Sequence, residues 1–336
     1  MRAIGYYRPL PIDDVDALQD LELPEPLPSA RDLLVRVSAV SVNPIDTKVR
    51  RSTAPPEGQA KVLGWDAVGI VEQVGSAVTR FATGDRVYYA GALDRPGTNS
   101  ELHTVDERIV ARAPVTLDDA EAAALPLTTI TAYELLFDRL GVHKGAGAGQ
   151  TLLIVGGAGG VGSILIQLAR QLTQLRVVAS ASRPETRAWC LDLGAHAVID
   201  HARPLHAELE EAGIGQVELV ASLTQTPKHY TQIIESLRPQ GRLGVIDDMA
   251  TLDVTLLKAK SLSLHWELMF TRALFQTPDM DQQGRLLAEV AELVDAGRVR
   301  TTTGMQLGVI DAQNLRRAHT LIESGSTRGK IVLSGF

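Results

Sequence analysis

The run Leu152-Leu153-Ile154-Val155-Gly156-Gly157-Ala158-Gly159-Gly160-Val161-Gly162, continued by Ser163-Ile164-Leu165-Ile166-Gln167-Leu168-Ala169, constrains this chain more than any other stretch. It reads as strand, glycine turn and helix. The apolar run suits a strand buried on both faces, and apolar positions beyond Gly162 recur at a helical period. Gly157, Gly159 and Gly162 give a G-x-G-x-x-G spacing, with Gly160 and Val161 inside it. Glycines so placed permit a tight turn, let backbone N–H groups approach a pyrophosphate, and seat the helix against the strand with the anion at its positive end. Alone, the pattern also suits a turn that serves packing. With the strand before it, the helix after it and the alternation downstream, it points to a dinucleotide.

Strand-like runs recur at residues 176–180, 197–199, 217–221, 242–246 and 262–265, with helical stretches between most of them. Repeated crossovers predict an α/β fold with a doubly wound parallel sheet, whose ligand lies beyond the carboxyl ends of the strands. Those ends are Ser180 to Arg183, Asp200-His201, Ser222 to Thr224 and Ile246 to Met249, so Thr224 and Ile246 join the glycines as cofactor candidates. Before the turn the pattern differs. Runs 33–40, 68–74 and 86–89 read as strands punctuated by Pro24 to Pro28, Pro55-Pro56, Gly75-Ser76 and Thr83-Gly84-Asp85, which predicts short antiparallel strands in a barrel-like unit. Acids at 118–121 mark a helix start, and Pro126 interrupts before a second helix containing 131–136. Helices over 282–296 and 312–323 and a strand over 330–333 close the chain. We read three segments: 1–125 and 267–336 form one mainly β domain, and 126–266 the nucleotide-binding domain.

A chain of 336 residues, 45% hydrophobic, has room for two such cores. A formal net charge of −7 without any basic run excludes a sequence-independent nucleic-acid binder. No apolar stretch reaches the roughly 18 to 20 residues that span a bilayer, and the amino terminus lacks a signal core, so the expectation is a cytoplasmic protein with no membrane partner. Cys190, the single cysteine, allows no internal disulfide and no thiolate-built structural zinc site; it reads as a small buried residue in a helix.

An NAD-selective site places Asp or Glu about 20 residues beyond the glycines, on the ribose 2′-hydroxyl. Residues 176–184 hold no acid and end Ser180-Ala181-Ser182-Arg183-Pro184, with Arg187 one turn on. Hydroxyl and guanidinium groups suit a 2′-phosphate, which accepts charge-assisted hydrogen bonds. NADPH, held in part by Ser182, Arg183 and Arg187, is the expected cofactor. Were the arginines only a solvated helix face, the preference would be weak.

The segments Ser41-Val42-Asn43-Pro44-Ile45-Asp46-Thr47-Lys48-Val49-Arg50, Leu63-Gly64-Trp65-Asp66-Ala67-Val68-Gly69, Gly84-Asp85-Arg86-Val87, Ala122-Ala123-Ala124-Leu125-Pro126-Leu127-Thr128, the glycine turn, Leu193-Gly194-Ala195 and Arg317 to Lys330 come in an order that resembles one family. The chain is similar, over nearly its whole length, to the medium-chain dehydrogenase/reductase superfamily. Within it, the chain resembles the zinc-independent quinone oxidoreductase branch, and a subgroup often labelled zinc-binding alcohol dehydrogenase. The resemblance implies a GroES-like catalytic domain built from both ends of the chain, a Rossmann domain between them, and a homodimer. It also implies that Asn43 and Thr131 lie beside the nicotinamide and that Lys330 reaches the cofactor. The residues themselves equally allow capping for Asn43 and Thr131, and an exposed turn charge for Lys330.

In the zinc alcohol dehydrogenases the resemblance implies a cysteine after the second-strand segment and a Gly-His-Glu triplet later; here stand Asn43 to Asp46 and Gly64-Trp65-Asp66. A catalytic zinc needs about three protein ligands and an open position, so Asp46 and Asp66 fall short. Without a Lewis acid, a quinone or an α,β-unsaturated carbonyl is a better acceptor than a simple ketone, because hydride enters a conjugated system. The expected reaction is hydride transfer from NADPH to such a small acceptor, the protein positioning the nicotinamide and hydrogen-bonding the developing oxyanion. Several quinone oxidoreductases carry a tyrosine two residues after the position of Asp46, where this chain has Lys48. Lys48 reads as a proton or hydrogen-bond donor or as a solvated charge, and Asp46 as its orienting group or the cap of its own turn. Tyr89, Trp65 and Trp266 suit a cleft wall or the core, and His265 and Glu267 end the last sheet strand. Two other functions stay open: an NADPH-binding regulatory protein with little turnover, and a zinc-dependent alcohol dehydrogenase.

Overall fold

In the computed structural model, which describes residues 1–336, the chain divides into two units: Met1–Ile130 with Phe270–Phe336, and Thr131–Met269. In the first, β1 (Arg2–Tyr6) pairs antiparallel with β2 (Gln19–Glu22). The long strand β3 (Asp32–Val42) follows, and a short β4 (Lys61–Val62) completes the small sheet on the other edge of β1. β3 organises the larger sheet. β5 (Asp66–Val74) runs antiparallel along one of its edges, and β6 (Arg86–Ala90) continues that side. β7 (Leu102–Asp106) occupies only the first half of the other edge, and β8 (Val110–Arg112) pairs with β6.

Three helices belong to this part of the chain. α1 (Pro44–Ser52) leaves β3 directly, with Pro44 at its first position, where a missing N–H costs nothing. α2 (Asp119–Ala123) begins with a reciprocal cap: Glu121 N donates to Asp118 Oδ1 at 2.7 Å and Asp118 N to Glu121 Oε2 at 3.2 Å. α3 (Pro126–Tyr133) stops earlier than the apolar pattern predicts. A π turn over Glu134–Arg139 follows, in which Leu140 N donates to Leu135 O at 2.9 Å.

The second unit alternates strand and helix. β9 (Thr151–Val155) and α4 (Gly160–Leu172) flank the glycine turn; β10 (Arg176–Ser180), α5 (Pro184–Asp192), β11 (Ala197–Ile199) and α6 (Leu205–Glu211) come next. β12 (Val217–Ser222), α7 (Thr226–Ser236), β13 (Leu237–Val245) and β14 (Ser263–Trp266) complete it. All pairs are parallel, in the order β11-β10-β9-β12-β13-β14. The direction of winding reverses between β9 and β12, so the ligand crevice lies outside their carboxyl ends. β13 starts five residues before its apolar run, because a register shift against β12 between Val217 and Leu219 accommodates Pro239 and Gly241. Leu152, Leu153 and Ile154 have no exposed surface, and each fully buried aliphatic side chain of this size contributes about 1.5–3 kcal/mol.

The chain then rejoins the first unit through α8 (Thr271–Leu274), α9 (Gln282–Asp295), β15 (Thr303–Gln306), α10 (Ala312–Glu323) and β16 (Lys330–Ser334). β16 pairs antiparallel with the second half of β3, Ile331 opposite Val42, and β15 lies parallel outside it. This is the α/β fold expected: a doubly wound Rossmann sheet, and a mainly β unit made from both ends of the chain. The buried guanidinium of Arg50 ties α1 to α10 through His319 Nδ1 at 3.3 Å and through Glu323. No helix is long and apolar enough to cross a membrane.

Candidate functional site

The glycines of the second unit divide by what a side chain would meet. A Cβ on Gly162 would lie 2.4 Å from Gly156 O and 2.6 Å from Gly157 O, and one on Gly157 would lie 2.7 Å from the Ala179 Cβ. These two glycines exist for the close approach of α4 and β10 to the turn. Gly156, at φ +89°, makes the turn itself, and the methyl of exposed Thr224 lies against it. Gly159 is different: its nearest contact for a Cβ is 3.6 Å away, and it caps α4 in an extended conformation. From there the N–H groups of Gly160, Val161 and Gly162 open the helix, where no intrahelical acceptor exists for them. The arrangement suits a pyrophosphate.

At the carboxyl end of β10 the turn is tied down by one serine. Gly156 N donates to Ser180 Oγ and Gly157 N to Ser180 O, both at 3.1 Å. Ser182 and Arg183 beyond it are exposed, and Arg183 pairs with Glu185 at 3.2 Å. Arg187 is engaged otherwise: Nη1 donates to Ala181 O at 3.3 Å and Nη2 to Val198 O at 2.8 Å. Its guanidinium fastens the ends of β10 and β11 and adds positive charge to that edge. Ile246 follows β13 and is half-buried. Thr131 is buried in α3. In the π turn Glu134 is fully buried and Glu267 is 3% exposed; burial and the Glu134 carboxyl push Glu267 up to about 9, although Arg139 Nε donates to it at 2.7 Å. His265 Nε2 lies 3.0 Å from Ser263 Oγ, and Trp266 is half exposed.

In the first unit the sheet register gathers a buried polar cluster. Ile331 opposite Val42 puts Lys330 beside Asn43, and Ser41 faces Asp66. Asp66 accepts from Ser41 Oγ at 2.7 Å, Asn43 Nδ2 at 2.8 Å, Lys330 Nζ at 3.0 Å and Leu127 N at 2.7 Å. Lys330 also donates to Asn43 Oδ1 and, at 3.2 Å, to Val42 O, so its three protons are all used. Asn43 therefore spends its side chain on the cluster. The start of α1 is capped instead by Asp46, whose Oδ2 accepts from Asn43 N at 2.8 Å. Asp46 is 1% exposed and its Oδ1 has no hydrogen-bond partner; burial pushes its carboxyl up to about 7, against the bonds from the Asn43 and Gly64 N–H groups and the charge of Lys330. Lys48 is exposed on the same helix. Trp65 and Tyr89 belong to the core: Trp65 donates to Ala92 O at 3.2 Å and packs edge-on against Phe270, and Tyr89 stacks on His103.

Asp66 as the hub of a cluster was not legible as such, since the sequence shows only two carboxylates too few for a metal. Ser180 was visible as a strand-end position, without its bond to the turn.

Known proteins place the chain in a family. Residues 29–115 match the alcohol dehydrogenase GroES-like domain, and residues 193–333 match the zinc-binding dehydrogenase domain. A zinc-type alcohol dehydrogenase-like protein of Staphylococcus epidermidis is 37% identical over 337 residues, covering 99% of each chain. A structure from Rhizobium etli CFN 42, named as a candidate zinc-dependent alcohol dehydrogenase, is 57% identical with a TM-score of 0.97 over 100% of this chain and 98% of that one. The chloroplastic NADPH-dependent alkenal/one oxidoreductase of Arabidopsis thaliana is 37% identical over 179 residues, 51% of this chain and 45% of its own. The zinc in three of these names does not fit the residues present. No three His, Cys, Asp or Glu side chains converge in a way that would hold a metal ion. Both oxygens of Asp66 are committed, and a cation beside it would face the ammonium of Lys330. With this fold, these matches and this donor set, the chain belongs to the medium-chain dehydrogenase/reductase superfamily of oxidoreductases, on its zinc-independent branch.

Proposed function

We propose that the chain is an NADPH-dependent oxidoreductase that reduces a small quinone or α,β-unsaturated carbonyl without a metal. The observation that carries the reading is the saturation of Asp66 by Lys330, Asn43, Ser41 and Leu127 N, which leaves no ligand set for a Lewis acid. When bound, NADPH supplies the hydride. Its fit is supported by the N–H groups at the start of α4 and by the acid-free end of β10, where Ser182 and Arg183 stand exposed. Gly157, Gly159, Gly160, Val161 and Gly162 would hold the pyrophosphate, with Thr224 and Ile246 at neighbouring strand ends. Asn43, Asp46, Lys48 and Thr131 are the side chains we assign to positioning and proton supply. Asp46 suits the second role, being buried with a carboxyl that holds a proton near neutrality.

The test is a panel of quinones, enones and simple ketones with NADPH and NADH in parallel, before and after a chelator. The expected result is turnover of conjugated acceptors with NADPH, unchanged by chelation. Loss of activity with the chelator would restore the zinc reading. Tight NADPH binding without oxidation by any acceptor would mark a cofactor-responsive binding protein instead. Lys48→Met separates the donors: unchanged rates would remove Lys48 from the mechanism. A homodimer is the assembly the family resemblance implies, and sedimentation velocity reads it directly.

A further inference from the structure

His201 stands at the carboxyl edge of the parallel sheet and has no part in the reading above. β10 and β11 pair in parallel with Ser180 beside Ile199, and His201 stands two residues beyond that end of β11. Its Nδ1 lies 3.1 Å from Ser180 Oγ, the same oxygen that accepts the Gly156 N–H at 3.1 Å. One hydroxyl therefore links the imidazole to the glycine turn. The ring is half-buried, and Nε2, on its far side, has no protein partner.

We infer that His201 reads the 2′-phosphate of the dinucleotide, taking up a proton as that phosphate binds and donating to it from Nε2. The inference rests on the NADPH reading and names a residue that would set it. Histidine is the side chain whose charge changes near neutrality, and a phosphate monoester dianion rewards an added positive charge with a charge-assisted hydrogen bond. Burial pushes the ring below the usual histidine range, Asp200 beside it pulls the other way, and Lys228 on α7 adds to the depression. The other groups packed around it do not supply a fixed counter-charge. His229, also on α7, is buried with its ring 6.1 Å away and is itself depressed by burial, and Glu208 on α6 is engaged by the Asp200 N–H and by Arg203. Both charge states fit without rearrangement. Neutral His201 accepts the Ser180 hydroxyl proton at Nδ1; protonated, it donates from Nδ1 to Ser180 Oγ, whose two lone pairs take this proton and that of Gly156 N.

The experiment is calorimetric titration of the whole protein with adenosine 2′,5′-bisphosphate and, in parallel, 5′-AMP, in buffers of different ionisation enthalpy between pH 7 and 8.5. There the 2′-phosphate is already largely a dianion and adds little proton uptake of its own. Expected is net proton uptake with the bisphosphate and none with 5′-AMP. Bisphosphate affinity should fall about tenfold across that range while 5′-AMP affinity stays level. His201→Gln should abolish the uptake and bind the bisphosphate about tenfold more weakly at pH 7, converging on the unmodified protein at pH 8.5. Should the variant fold poorly, NMR titration of His201 in the unmodified protein gives the same answer: its pKa must rise when the bisphosphate binds. Preference for the bisphosphate without proton uptake, or uptake that survives His201→Gln, overturns the inference and leaves the NADPH reading standing. Equal affinity for bisphosphate and 5′-AMP overturns both.

Discussion

Lys330 is a buried cation whose three protons each have an assigned acceptor, so its removal tests how the polar cluster is held. Lys330→Met leaves the buried Asp66 carboxylate without its counter-charge and Asn43 Oδ1 without a donor, and breaking such a buried pair costs about 3–5 kcal/mol. Denaturant unfolding of Lys330→Met, Asp66→Asn and the double variant should show the double costing less than the sum, since the orphaned partner is then removed as well. Additive losses would mean that the two side chains act independently. Arg183 acts at the surface, where binding rather than stability responds. Arg183→Asp should weaken NADPH by roughly 10- to 100-fold and leave NADH nearly unchanged by fluorescence titration, as expected for a lost charge-assisted bond to phosphate. Equal losses for both cofactors would contradict the 2′-phosphate assignment.

At the scale of elements, the turn between β9 and α4 separates two uses of glycine. Gly162→Ala drives a methyl into the carbonyls of Gly156 and Gly157 and should cost about 1–3 kcal/mol together with cofactor binding. Gly159→Ala meets nothing closer than 3.6 Å and has an ordinary φ of −73°, so melting temperature should hold or rise while NADPH affinity falls tenfold or more, a change of about 1.4 kcal/mol or greater. Equal melting losses in both variants would refute the division. The turn was legible because the glycine spacing and the flanking periods are local properties of the chain, and β10, β11 and α10 were legible for the same reason. The π turn was not: Leu135 and Leu136 continue a helical pattern, and only the buried position of Glu134 marks the change. Nor was the Asn43–Asp66–Lys330 cluster, whose members are up to 287 positions apart and meet only through the registers of β3 with β5 and β16.

For the molecule as a whole, two buried acids and two buried histidines pull the stability profile in opposite directions with pH. Asp46 and Glu267 bind protons more tightly folded than unfolded, rising to about 7 and about 9, so their contribution is lost as pH climbs from the ordinary carboxylate range up to those values. His103 and His319 are pushed down by burial to about 4 and about 3, so theirs is lost as pH falls below the ordinary histidine range near 6.5. Between about pH 4.5 and 6.5 the two pairs oppose each other. Above that the acids prevail, Asp46 to about pH 7 and Glu267 to about pH 9, and stability should decline toward pH 9 by at most about 1.4 kcal/mol per pH unit for each group. Glu267→Gln should flatten the alkaline limb in thermal melts above pH 7; an unchanged slope would remove the Glu134–Glu267 pair as its source.

The placement of β16 against β3 also orders events in time. The residues of the second unit are contiguous in sequence, so they are complete while the ribosome still holds the segment that the first unit lacks. Lys330 is joined to the chain 264 residues after Asp66, roughly 13 to 50 s later at ordinary elongation rates. For that interval the edge of β3 that β16 will cover stays open and the Asp66 carboxylate lacks its counter-charge. A nascent chain can thus own a complete parallel-sheet unit before its polar cluster exists, and the open edge of β3 is where a chaperone would have to stand guard.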